Sequence, residues 1–121
     1  MTDTDKLNLI EEHAREYYRN ERAYAYIESG FISYELFGTD EGDAIYFADI
    51  FVSKKARGSK VFGDIVALGE KIAHDNLVEI AYCRVERDNK HIDTLQAMYA
   101  GFGFKPHSED DEAIYYKWVR P

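Results

Sequence analysis

The segment Asp43-Ala44-Ile45-Tyr46-Phe47-Ala48-Asp49-Ile50-Phe51-Val52 constrains this chain more than any other. Strict alternation places Ala44, Tyr46, Ala48, Ile50 and Val52 on one side of a strand. Ile45, Phe47, Asp49 and Phe51 fall on the other. Both sides are apolar, and a strand of that kind is central in its sheet and covered on both faces. The fold therefore needs helices above and below a sheet. Helical spacing supplies them. Leu7, Ile10, Ala14, Tyr17 and Tyr18 recur between Asp3 and Arg19, with Thr4 or Asp5 as the N-cap. Val61, Ile65, Leu68 and Ile72 form a stripe between Lys60 and His74, where Gly63 and Gly69 permit close packing. Ile92, Leu95, Tyr99 and Phe102 form a third stripe between His91 and Phe102, and Gly103 is placed to end that helix in the left-handed region.

The remaining strands follow from alternation and turn chemistry. Ala23 to Glu28 and Phe31 to Phe37 are aromatic-rich and joined by Ser29-Gly30, a hairpin pattern. Gly38 to Gly42 is a second turn, and Val78 to Val85 another strand. Phe104 to His107 is a short strand that Pro106 assigns to a sheet edge. After a turn at Asp110-Asp111, Ala113 to Val119 returns with Ile114, Tyr116 and Trp118 on one face. The order α-β-β-β-α-β-α-β-β describes an α+β fold in one domain over residues 1–121. Its sheet is mixed and mostly antiparallel, with helices on both faces. The crossover from the 43–52 strand to the 78–85 strand is expected to be right-handed.

Composition excludes several functions. The formal charge of −8 argues against nucleic acid, whose phosphates call for a basic surface. The acidic start, Met1 to Asp5, lacks the pattern of a secretory signal, and no apolar run approaches the roughly 18 residues that cross a bilayer. The single cysteine, Cys83, excludes an internal disulfide and a zinc site of several thiolates, and fits a reducing cytoplasm. His13, His74, His91 and His107 show no metal-ligand spacing, and no Gly-x-Ser-x-Gly turn is present.

Against the acidic background, Lys54, Lys55, Arg57 and Lys60 cluster where the long strand gives way to a helix. Helix-start amides beside such cations suit an anion. Near the C-terminus, Tyr99-Ala100-Gly101-Phe102-Gly103-Phe104 closes the last helix as Tyr-x-x-x-Gly-Phe. A strand, a cationic turn, a helix, a strand and a helix with that ending resemble the GNAT superfamily of N-acetyltransferases, over nearly the whole chain from Ala23 onward.

The resemblance implies acetyl-CoA as cofactor, with its diphosphate on the turn after the long strand. Arg57 and Gly58 match the family's Arg-Gly start, and Ser59 follows. Lys60 and Phe62 stand where the motif glycines belong, and Gly63 comes next. The pantetheine arm would pair with the backbone of Ile50, Phe51 and Val52, in a splay between the 43–52 and 78–85 strands. A primary amine, on a small molecule or a protein lysine, would attack the thioester directly. A backbone N–H would polarise the carbonyl, and Tyr99 would protonate the leaving thiolate. Asp49, a lone acid among Ile45, Phe47 and Phe51, is the candidate base, with a pKa raised by those neighbours. A second reading keeps the scaffold without the chemistry. Lys60 and Phe62 then mark a lost cofactor site, and the acidic, tyrosine-rich surface takes a protein partner. A homodimer through the C-terminal strands fits either reading.

Overall fold

A computed structural model describes residues 2–17, 22–58 and 60–121, with side chains of the first helix through His13. The expected helix residues Tyr18 and Arg19, the side chains of Ala14 and Tyr17, and Ser59 lie outside the described residues. The element order matches the sequence reading. The helices are α1 (Asp3–Tyr17), α2 (Val61–Asp75) and α3 (Ile92–Gly101). The strands are β1 (Ala23–Ile27), β2 (Gly30–Thr39), β3 (Gly42–Val52), β4 (Ile80–Glu86), β5 (Lys105–Glu109) and β6 (Ala113–Val119). They form one mixed sheet in the order β1-β2-β3-β4-β6-β5, which puts the proline-bearing β5 at an edge. The chain packs as two compact units. One comprises Arg22–Ala81 and Val119–Pro121; the other comprises the N-terminal helix and Tyr82–Trp118.

In the first unit, β1, β2 and β3 make an antiparallel meander. The β1–β2 turn is Glu28-Ser29, and Gly30 belongs to the strand, paired with Ile27 on one side and Val52 on the other. Gly30 is glycine for reasons of space. A Cβ there would sit 2.3 Å from the Phe51 carbonyl oxygen and 2.8 Å from Ile65 Cδ1. The β2–β3 turn is only Asp40-Glu41, because Thr39 and Gly42 pair across it. The Thr39 hydroxyl donates to the Gly42 carbonyl at 2.7 Å and accepts from the Glu41 amide at 3.1 Å. Gly42 takes φ +129°, which suits glycine.

One irregularity changes the reading of β3. Ser33 pairs with Asp49 and Tyr34 with Phe47, so Ala48 is an extra residue on β3. Such a bulge resets the alternation. Beyond it, Ile50 joins the face of Ile45 and Phe47, while Asp49 and Phe51 join the face of Ala44 and Tyr46. The expected grouping of Asp49 and Phe51 with Ile45 and Phe47 is therefore corrected. α2 covers the first of these faces: a Cβ on Gly69 would lie 3.2 Å from Ile32 Cδ1 and 3.4 Å from Phe47 Cε1, so this glycine permits the close packing expected of it. Gly63 does not, since a Cβ there meets nothing within 4 Å. On the opposite face Ala44 and Tyr46 are fully buried, but Phe51 is 46% exposed. The expectation that β3 is covered on both sides along its length fails in its last third.

In the second unit, α1 begins one residue pair earlier than its expected cap. Thr2 Oγ1 accepts from the Asp5 amide at 3.1 Å, and Asp5 Oδ2 accepts from the Thr2 amide at 2.9 Å, a reciprocal capping box. Leu7 is the fully buried residue of the helix's described apolar stripe. The Tyr82 hydroxyl donates to Asp3, and the Tyr115 hydroxyl lies 2.5 Å from the side-chain oxygen of Asn8.

The β5–β6 turn is built on Asp110. Its Oδ1 accepts from the Glu112 and Ala113 amides at 2.9 Å each, and its Oδ2 from the Tyr115 hydroxyl at 3.1 Å. Partial burial pushes this carboxyl up, but the two amides and the hydroxyl outweigh it and hold it below the ordinary value. Asp110→Ala is expected to lower stability by about 1 kcal/mol at neutral pH. A carboxyl depressed on folding contributes stability above its unfolded pKa, and the contribution is lost as pH falls through the folded one. The difference between wild type and variant in urea titrations should thus shrink below about pH 4.

Candidate functional site

β3 ends at Val52, and the Ser53 amide donates to the Ser29 carbonyl at 2.8 Å, tying the exit of the strand to the first hairpin turn. A single 3-10 turn, Lys54–Ala56, follows. Arg57 is extended, and Gly58 takes φ +84°. α2 then starts from Lys60 with no side-chain cap; its first helical bond runs from the Asp64 amide to the Lys60 carbonyl at 3.1 Å. A helix start without a side-chain cap leaves amides for an anion. Lys54, Lys55, Arg57 and Lys60 are all exposed around it. A Cβ on Gly58 would meet nothing within 4 Å, so the turn is open. Phe62 is half-buried, and Asp64 is an acid in the same first turn. Cations on an open turn, leading into a helix whose N-cap Lys60 gives no side-chain bond, fit a diphosphate, which the Phe62 and Gly63 amides with Arg57 and Lys60 could hold.

Arg57 folds back onto β3. Its Nε donates to the Val52 carbonyl at 3.2 Å, and its guanidinium carbon lies 5.9 Å from the centroid of the Phe51 ring. Ile50, Phe51 and Val52 pair with Ile32, Phe31 and Gly30 of β2. The structure thus brings Phe51, Val52 and Arg57 together.

Asp49 lies in surroundings unlike those expected. It is in no apolar setting: its side chain is 54% exposed, and Oδ2 accepts from the Ser33 hydroxyl at 2.8 Å and from Arg22 Nη1 at 3.1 Å. The Nε of Arg22 also reaches Glu35 Oε1 at 3.2 Å. Ser33 is fully buried beneath this group. Sequence reasoning missed Arg22 and Ser33. The signal for Ser33 is the pairing Ser33↔Asp49, which exists only because Ala48 shifts the register.

Tyr99 sits one turn before the end of α3. The helix closes with a Schellman motif. The Phe104 amide donates to the Tyr99 carbonyl at 3.0 Å, the Gly103 amide to the Ala100 carbonyl at 3.1 Å, and Gly103 takes φ +90°. The assignment of Gly103 as the left-handed cap is therefore right. The expected apolar stripe loses its last member. Phe102 points out, 38% exposed, and the Tyr99 ring packs against Phe104 and Tyr116, with centroids 5.8 Å away in each case. The Tyr99 hydroxyl makes no hydrogen bond with a described residue. Burial pushes its phenol well above the ordinary value, with Cys83 and Tyr116 adding to the effect.

Solved structures share this architecture. A chain of the NatC complex bound to Gag peptide and CoA superposes with a TM-score of 0.69 at 12% identity, over 95% of this chain and 80% of that one. Naa50 of Arabidopsis thaliana, in complex with the bisubstrate analogue CoA-Ac-MVNAL, gives 0.65 at 14% identity, over 99% and 95%. A GNAT-family acetyltransferase from Listeria monocytogenes gives 0.63 at 16% identity, over 99% and 92%. No profile of a known sequence family matches the chain, and no curated protein matches it by sequence. The likeness is one of three-dimensional structure, and the fold it establishes is that of the GNAT acetyltransferases.

Proposed function

We propose that the protein is an N-acetyltransferase that moves the acetyl group of acetyl-CoA to a primary amine. The observation that carries this reading is the turn after β3. In a chain of net charge −8, four cations surround an open turn with Gly58 at positive φ, and it leads into a helix without a side-chain cap. The neighbours solved with CoA or a CoA-linked analogue have the same fold. When bound, acetyl-CoA supplies the activated acyl group. The chain's residues do the rest. Arg57 and Lys60 offset the diphosphate charge, and the Phe62 and Gly63 amides orient it. Ile50 to Val52 offer backbone to the pantetheine arm. Asp49 accepts the proton that the acceptor ammonium gives up. Tyr99 would hold the phenolic proton that the departing thiol needs once the amine has taken the acyl group. The assignment of Tyr99 rests on its motif and on a hydroxyl with no described partner.

The test is a calorimetric titration of CoA. Wild type should saturate. Arg57→Glu, which reverses one charge at an exposed position, should weaken binding by tenfold or more, about 1.4 kcal/mol. No saturation of wild type at millimolar CoA overturns the proposal.

A further inference from the structure

We propose that the open face of the β1–β3 meander binds a small amine made of a cationic head and an aromatic body. The inference rests on the acetyltransferase reading only in calling this amine the acceptor; the binding itself is a separate claim.

Three rings lie across the strands in one row. Tyr26 pairs with Phe31 and Phe31 with Phe51, at centroid separations of 5.9 Å and 5.6 Å. Tyr24, one step along β1 on the same face, is 5.4 Å from Phe31 and 6.1 Å from Tyr26. The result is a continuous aromatic surface, and it is open: Tyr26 is 71% exposed and Phe51 46%. Large exposed rings side by side are uncommon unless they bind something.

Charge begins where the rings end. The row that starts at Tyr24 continues through Ser33 to Asp49, and Arg22 joins Asp49 to Glu35 in the row after it. Two carboxylates share one guanidinium, which leaves one formal negative charge. Asp49 Oδ1 and Glu35 Oε2 take no bond from the described residues, since the Arg22 and Ser33 bonds fall on the other oxygens. An ammonium placed there completes the charge balance while its body lies on the rings. The ring faces are already suited to cations, as the guanidinium of Arg57 over Phe51 demonstrates. An aromatic acid would meet the same carboxylates with the wrong sign.

Size selects a small ligand over a protein. Three strands and two rows measure about 10 by 7 Å. A stable protein contact needs roughly 800 Å² from each side.

The experiment uses the full chain without cofactor and follows phenethylamine binding by ligand-observed NMR. Two comparisons accompany it: 3-phenylpropionate, which keeps the ring and reverses the charge, and butylamine, which keeps the charge and lacks the ring. Phenethylamine should saturate and both others bind about tenfold more weakly or not at all. Tyr26→Ser, at an exposed position, should weaken phenethylamine about fivefold through loss of one ring–ring contact. Asp49→Asn should do at least as much. Both variants should keep wild-type affinity for CoA, which also shows that they are folded. Equal binding of the three ligands, or no binding, overturns the proposal. So does a change of sedimentation coefficient in Tyr26→Ser, because the face would then belong to a second copy of the chain. Failure of CoA to bind, with discrimination among the three ligands intact, removes the transferase reading and leaves the amine site standing.

Discussion

Gly30→Ala is expected to cost about 3 kcal/mol of stability, near the upper range for overpacking a closed position. The added methyl would be 2.3 Å from the carbonyl oxygen of Phe51, which is backbone of a neighbouring strand, and 2.8 Å from Ile65 Cδ1 on α2. A flexible side chain can move aside at little cost; a paired strand cannot. Gly30 is bonded into the sheet on both sides, to Ile27 and to Val52, so the clash spreads to β3 and to the turn that follows it. Roughly 4 °C of melting temperature per kcal/mol gives a drop of about 12 °C. Differential scanning calorimetry measures it directly. A change under 2 °C, about half a kcal/mol on the same scale, would mean that β2 and β3 are further apart here than described. Under the proposed function the same variant loses CoA affinity, since the residue opposite Gly30 is Val52, the last of β3.

Tyr99→Phe is expected to lower kcat by a factor of about 100 to 10 000, the range for loss of a positioned general acid. The ring stays, so packing against Phe104 and Tyr116 is kept, and stability should change by less than about 1 kcal/mol. CoA affinity should be unaffected. The pH dependence is a further check. Burial raises the phenol above its ordinary value, so Tyr99 keeps its proton throughout the range in which a free phenol would begin to lose it. The kcat of the wild type should therefore show no descending limb from tyrosine ionisation up to about pH 10. Turnover of Tyr99→Phe equal to wild type removes this residue from the mechanism.

How much was legible in the sequence differs by element. The helices and strands were, because their apolar periods are long and their stops are chemical: Gly103 at the end of α3, Pro106 on the edge strand. The position of the cationic turn followed from the same patterns. What could not be read was anything that depends on register. Alternation counted through Ala48 puts Asp49 among apolar residues under α2, and the pairing puts it on the other face with Arg22 and Ser33. Gly30 gave the opposite lesson. Its type suggested a turn, while the structure uses it for close approach between strands and helix. The N-cap of α1 was missed because Thr2 and Thr4 are chemically alike, and only the reciprocal bond with Asp5 distinguishes them.

The bulge at Ala48 also bears on how this surface can change over time. The side on which the Asp49 carboxylate emerges is decided by a count of residues, one more on β3 than on β2 between the flanking pairs. Gain of a single codon in β2, between Ser33 and Tyr34, would give Ala48 a partner, turn the carboxylate inward toward the helix and bring Ile50 out onto the aromatic surface, with every letter of β3 unaltered. Point substitutions can tune this region gradually, but that one added residue in β2 would abolish its polarity in one step.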